Sequence, residues 1–413
     1  MFIPSRILGF KGQCVNGVEV DNDTNKLTII CHRDKRFNAL DPSTGKKGKV
    51  NSIVKKAVRD IPIFGFKTFV QTERAQVRLP GNIRRLESLS FTDINCFYTL
   101  RFCYLVSGLC RHMSIQAVAR HLNLRWEAVK NMDRHCLEQT LPDLVPEELK
   151  DLSYIGVDEV ARAKGHDYMT VIYDMESGHL IGVETGRKAD VLIDYLKRIP
   201  KEVREGIKAV AMDMGRSYQK AVREMLPQAD IVFDRFHVMQ NYSKVIKNQR
   251  RSEFKKAAED DKELIKGSLY LLLKNPDQLS DKQQVDLSDL LETNSNLNRL
   301  YILKEQLQAL WSMSSIQGIQ VALENWCNIA ETTNMHYLHK FADSLRNHRT
   351  GICNYAKHQL TSGRIEAGNV AIGMIRKRAR GIKDLEYFKL KIRQTATPDN
   401  YSMFYDFSDG ILV

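Results

Sequence analysis

The stretch 153–233 constrains the fold more than any other part of the chain. Three closely spaced strand-like runs, 153–160, 168–174 and 179–184, are joined by turn signals, with Ser177-Gly178 as a hairpin turn. A helical segment over 189–199 stops at Pro200. An apolar run of buried-strand type then covers 207–213, a second helical segment 216–226, and another strand 230–233. The order is β-β-β-α-β-α-β, which calls for a mixed sheet with helices packed on its faces.

Two acids sit in these strands. Asp158 lies in Tyr-Ile-Gly-Val-Asp-Glu-Val (154–160), and Asp213 closes the run 207–213. Side chains alternate along a strand, so Gly156, Asp158 and Val160 share one face, and Ile155, Val157 and Glu159 the other. On this reading Gly156 leaves room for substrate beside Asp158, and Glu159 points away as a structural residue. Asp213 stands at a strand's carboxyl end, where ligands of such sheets collect. Neighbouring strands would let both carboxylates share a cation, which removes their mutual repulsion. Hard cations such as Mg²⁺ take oxygen ligands, commonly one or two carboxylates plus a substrate phosphate. Two such ions roughly 3.5–4 Å apart would activate a water or 3′-hydroxyl and stabilise the leaving oxygen of a phosphoryl displacement. Glu366, in Thr-Ser-Gly-Arg-Ile-Glu-Ala-Gly-Asn (361–369), is the third acid of the set. Asp234 competes with Asp213 as second ligand; otherwise Asp234 and His237 stand around the site or begin a helix. The order β-β-β-α-β-α-β is that of an RNase H-like fold.

Charge points to the substrate. The 413 residues carry a net charge of +12, which favours a polyanionic partner, nucleic acid ahead of membrane. No apolar run of transmembrane length appears, and the N-terminus lacks a secretory apolar segment. The eight cysteines are scattered with no CxxC, which suits a reducing compartment with free thiols rather than a disulfide scaffold. Cys96, Cys103 and Cys110 recur every seventh residue. On a helix that spacing is about 10.5 Å, too far for one ion, so they are expected as small core side chains.

Around the strand-rich block the chain divides further. Residues 1–90 form a β-rich region, with runs at 18–20, 27–31 and 68–79, and a basic stretch at 45–59 is read as a flexible connection. Residues 91–140 are helical, and 114–138 has helix-turn-helix spacing. Ser114 is the expected N-cap, and Ile115, Val118, Ala119 and Leu122 form an inward stripe that Leu124, Val129 and Met132 continue. Asn123 takes the left-handed turn position. Arg125, Trp126, Lys130, Asn131 and Arg134 would project from the second helix toward double-stranded DNA. A Pro- and acid-rich linker at 141–149 leads to a first catalytic part, 150–240. An inserted helical domain, 241–350, follows, with Trp311 expected as a core residue. A second catalytic part, 351–395, and a tail, 396–413, complete the chain. Arg376, Lys377, Arg378 and Arg380, downstream of Glu366, suit phosphate contacts that position a DNA backbone.

These segments in combination resemble a known group. Ile155-Gly-Val-Asp-Glu, Ala211-Met-Asp-Met, Ile231-Val-Phe-Asp-Arg-Phe-His-Val, Leu-Leu-Leu-Lys-Asn-Pro (271–276), Leu-Thr-Ser-Gly-Arg-Ile-Glu-Ala-Gly-Asn (360–369) and Ile375-Arg-Lys-Arg-Ala-Arg-Gly are similar to the "ISL-three" family of bacterial insertion-sequence transposases, over about residues 90–395. The resemblance implies an RNase H-like DDE transposase with its triad on Asp158, Asp213 and Glu366. Such an enzyme binds terminal inverted repeats as a homodimer on paired ends. Using Mg²⁺ or Mn²⁺, it frees 3′-hydroxyls and joins them to target DNA. The family also carries an N-terminal zinc region. Here that region offers only Cys14, Cys31 and His32, short of a four-ligand set with close pairs, so it reads as a degenerate zinc-ribbon-like scaffold. Ala367 stands where relatives often have glycine after the glutamate. Two alternatives are a non-catalytic DNA-binding transposition repressor and an RNase H-like junction nuclease.

Overall fold

The computed structural model describes residues 9–79, 81, 83–93, 95, 97–141, 149, 151–163, 167–361, 363–379 and 382–395. Cys96, Arg380, residues 142–148 of the expected linker and the tail from 396 lie outside them. The chain forms two units, Met1–Pro142 with Lys377–Val413, and Asp143–Arg376. The first unit begins with strands β1 (Gln13–Asp21), β2 (Lys26–Arg33), β3 (Lys49–Arg59), β4 (Lys67–Arg78) and β5 (Arg84–Leu86). Helices α1 (Leu100–His112), α2 (Ile115–Leu122) and α3 (Trp126–Thr140) follow. The second unit holds β6 (Tyr154–Ala163), β7 (Asp167–Asp174), β8 (Leu180–Thr185), α4 (Ala189–Arg198), α5 (Lys201–Gly206), β9 (Ala209–Met212), α6 (Arg216–Met225) and β10 (Asp230–Phe233). A helical series comes next: α7 (Arg235–Lys256), α8 (Glu259–Ile265), α9 (Leu269–Leu273), α10 (Asp281–Thr293), α11 (Ser295–Ala309), α12 (Ile316–Glu331), α13 (His336–Asn347), α14 (Arg349–Cys353) and α15 (Tyr355–His358). Helix α16 (Gly363–Ala379) starts in the second unit and ends in the first, to which α17 (Leu385–Thr395) belongs.

In the first unit the sheet order is β1-β2-β4-β3, with β5 paired to β4. Leu27, Ile29, Cys31 and Val70 bury one side of it. The stretch 45–59 is not a flexible connection: Lys49–Arg59 is a strand paired antiparallel to β4. Residues 49–55 are exposed on both faces, so no two-residue alternation marks the strand, and its lysines suit an edge that must not pair with other chains. Asp60, fully buried, accepts from Thr99 Oγ1 at 2.6 Å and Arg101 Nε at 2.7 Å, tying the sheet to α1.

The helix-turn-helix geometry follows the sequence closely. Ser114 caps α2 through the Ala117 amide, and Asn123 ends it in the left-handed region at φ 51°. Val118, Ala119, Leu122, Val129 and Met132 pack with Phe102, Cys103 and Cys110 in one core. Burial pushes the Cys103 thiol up to about 12, as befits a core side chain. Helix α17 closes this unit. Tyr387 packs on Leu137 and Leu141, and Lys391 meets the fully buried Asp133 at 3.1 Å.

In the second unit the sheet order is β10-β9-β6-β7-β8. β6–β7 and β7–β8 are antiparallel, while β9 and β10 run parallel to β6. One face carries Val157, Ile172 and Gly182. The last has no side chain because Tyr195 of α4 lies against it. Tyr218 of α6 reaches the same side, bonding Thr170 at 2.8 Å. The α7–α15 region has an apolar interior of its own, continuous with that of the sheet. There Trp326 donates to the Leu303 carbonyl at 2.8 Å, and Tyr242 to that of Leu300 at 2.8 Å. Trp311 is buried edge-on to Tyr355, as a core residue. Among the described residues no helix is long and apolar enough to cross a membrane.

Candidate active site

Strand register assembles the acids. Val157 of β6 pairs with Met212 of β9, and Met212 with Phe233 of β10. The next residues are Asp158, Asp213 and Asp234, so three carboxylates stand at one level on adjacent parallel strands. All three line one pocket with His237 and Ile365. Each carboxylate is held by hydrogen-bond donors. Asp213 Oδ1 accepts from the Gly215 amide at 2.8 Å. Asp234 caps α7, accepting from the Phe236 amide at 2.9 Å and from His237 Nδ1 at 2.8 Å. Asp158 accepts from the Glu159 amide at 2.7 Å and from Asn369 Nδ2 at 2.6 Å.

The fourth wall is α16. Its sheet-facing stripe is Ile365, Gly368, Asn369, Ile372 and Arg376, the spacing of one helix face. Ile365 occupies the space a side chain at Gly156 would take, with Cδ1 2.5 Å from that Cβ position. Gly156 therefore admits the helix, not a substrate, contrary to the sequence expectation. Gly368 lies likewise against Tyr173, and the Arg376 guanidinium donates to the Ala161 carbonyl. Glu366 sits in the first turn of α16, half-buried. It stands about 100° round the helix from Ile365, and it is not among the described residues that line the pocket, where α16 contributes Ile365.

The electrostatics are those of an under-compensated acidic site. Burial holds the Asp158 carboxyl above the usual carboxylate value and Asp213 repels it further, while the Glu159 amide, His237 and Asn369 favour its charged form. Burial and Asp213 also raise Glu159, which lies 3.7 Å from Arg187 on the opposite face and is not electrically remote from the site. The bond to Asp234 raises His237, and the charges of Asp158 and Asp213 add to the effect. Oxygen donors with excess negative charge fit a hard divalent cation. As they stand, no three His, Cys, Asp or Glu side chains among the described residues are gathered closely enough to hold an ion.

The residues expected to touch DNA divide by their surroundings. Arg125, Trp126 and Asn131 are exposed on the outer side of α3. Lys130 and Arg134 instead bond Asp384, just before α17, at 2.6 and 2.8 Å. Arg376 is held by Ala161 as above, and Arg378 donates to the Arg111 carbonyl. Lys377 is exposed. Asn369 falls inside the motif that carries Glu366, three residues on, and spacing alone does not mark it as a partner of Asp158.

A family described as "Transposase" matches residues 155–392, and "Helix-turn-helix domain of transposase family ISL3" matches 87–137. The chain belongs to the ISL3 family of transposases. It is 31% identical over 399 residues, 95% of this chain and 97% of the relative, to a protein of Bordetella parapertussis named transposase for insertion sequence element IS1001. It is 24% identical over 340 residues, 77% of this chain and 76% of the relative, to the transposase for insertion sequence element IS1557 of two Mycobacterium tuberculosis strains. These likenesses favour a DNA transposase over the repressor and junction-nuclease alternatives. The helix-turn-helix match covers α1, α2 and most of α3 of this transposase, and the longer match runs from β6 into α17 and contains Asp158, Asp213, Asp234 and Glu366.

Proposed function

We propose that this transposase cuts the ends of its element and joins them to target DNA at a site formed by Asp158, Asp213 and Glu366, on an RNase H-like scaffold. The carrying observation is that Asp158 and Asp213 follow paired residues of adjacent parallel strands and line one pocket. The sheet order, three antiparallel strands followed by two parallel to the first, supports the RNase H-like reading. Asp158, Asp213 and Glu366 would hold Mg²⁺ or Mn²⁺, with Asp234 and His237 beside them. Bound there, the ion supplies activation of the attacking hydroxyl and neutralises charge on the leaving oxygen.

The remaining work falls to the chain's own groups. Arg125, Trp126 and Asn131 face the groove of a terminal inverted repeat. Lys130 and Arg134 reach phosphate only by giving up Asp384. Lys377, with Arg376, Arg378 and Arg380, lies on the segment that steadies the DNA backbone without reading bases. Paired ends call for a homodimer, and work on chromosomal DNA places the enzyme at the nucleoid. The test is cleavage and strand transfer of linear terminal-repeat DNA with Mg²⁺. Asp158→Ala is expected to abolish both while retaining end binding. An Asp158→Ala protein as active as the unaltered one refutes the site, and end binding by an unaltered protein that never cuts favours the repressor.

A further inference from the structure

Asn369 occupies an unusual position. It is a neutral amide set within a group of acids, and its Nδ2 donates to Asp158 Oδ2 at 2.6 Å. The Tyr173 hydroxyl stands 3.5 Å from the other end of the amide, and Gly368 gives the helix its closest approach to that same tyrosine. Along the sheet, α16 keeps step with β6. From Ile365 over Gly156 to Arg376 at Ala161, eleven helical residues rise about 16.5 Å, and five strand residues advance about 16.5 Å. Helix and strand therefore run side by side in a fixed register, and the Asn369–Asp158 bond is the polar tie at the end that carries Glu366.

We propose that Asn369 is the positioning residue of the carboxylate site, holding the Asp158 carboxylate in its ligating orientation and locking the Glu366 helix in register with it. The inference rests on the carboxylate reading above. A one-residue slip of α16 moves each side chain about 1.5 Å and 100°, which breaks this bond and moves Glu366 relative to Asp158 at the same time. An amide suits the task. It donates to one Asp158 oxygen without cancelling the charge a cation needs, whereas a carboxylate there would add a further repelling charge at hydrogen-bond distance. Partners of this kind orient metal-binding carboxylates, and their loss commonly weakens metal binding or activity about 10–100-fold.

The test is calorimetric titration of Mn²⁺ into the full chain bound to linear terminal-repeat DNA, beside cleavage rate and thermal melting. Asn369→Ala removes the donor; Asn369→Leu removes it while keeping the size of the side chain. Both are expected to weaken Mn²⁺ binding about 10-fold or more. End binding, which belongs to α1–α3, is expected unchanged. Mn²⁺ affinity within two-fold of the unaltered protein for both variants overturns the positioning role, whatever their melting temperatures. Asp158→Asn separates this from failure of the underlying reading. If that variant binds Mn²⁺ and cuts normally, the carboxylate site itself is wrong. If it is inert while both Asn369 variants behave normally, only the role of Asn369 falls.

Discussion

Replacing Lys391 by methionine tests whether α17 is an integral part of the helix-turn-helix unit. Lys391 is 8% and Asp133 0% exposed at the side chain. The ammonium spends its three protons on Asp133 Oδ2 at 3.1 Å, the Cys110 carbonyl at 3.1 Å and Gln394 Oε1 at 2.6 Å. Asp133 also accepts from Ser107 Oγ at 2.7 Å and from the Tyr387 hydroxyl. Methionine fits the volume but leaves a buried carboxylate without its cation, which typically costs about 3–5 kcal/mol. For a unit of this size that is roughly 6–20 °C in melting temperature, at about 2–4 °C per kcal/mol. Adding Asp133→Asn removes the orphan charge and keeps an amide for Ser107 and Tyr387, so the double variant should recover roughly 2 kcal/mol. Differential scanning calorimetry reads both, and end binding should fall in parallel with the stability of the unit. A loss below about 1 kcal/mol, within the ordinary range for single substitutions, refutes the reasoning. So does a double variant less stable than Lys391→Met alone.

Two other outcomes follow from the site. Gly156→Ala puts a methyl group into Ile365 Cδ1 and Met175 Sδ; overpacking of this kind costs about 1–3 kcal/mol, and because α16 must shift, strand cleavage should fall more than stability, read from cleavage rate against urea midpoint. His237 has its value raised by Asp234, so the bond's contribution is full below the unfolded histidine value of about 6.5 and is lost as pH rises through the higher folded value. Urea midpoints should decline over that window, and His237→Gln should flatten the decline; an equal decline in the variant assigns it to other groups.

Much of the catalytic sheet could be read from the chain because its strands are short, buried and bounded by strong turn signals. The alignment of Asp158 with Asp213 follows from β6 and β9 being neighbours, as that reading required. The helix-turn-helix was equally legible, since Ser114, Asn123 and the inward stripe each act over one or two turns. What escaped notice was non-local or unpatterned. The strand Lys49–Arg59 is exposed on both faces over residues 49–55 and shows no alternation there. Lys130 and Arg134 look like free recognition residues until Asp384, some 250 positions away, is folded against them. Gly156 looked like room for substrate because the helix that fills its space arrives more than 200 residues later. Asn369 was invisible as a partner of Asp158 for the same reason.

The late arrival of α17 also bears on synthesis. Because Tyr387 and Lys391 complete the interior around Asp133, a nascent or prematurely stopped polypeptide lacking residues 382–395 has its helix-turn-helix segment but not the finished DNA reader. Aborted products would therefore compete poorly for the element's ends. On the proposed function, the molecule would acquire DNA recognition only after Glu366 has been translated, so an element's end would be gripped by molecules already equipped to cut it.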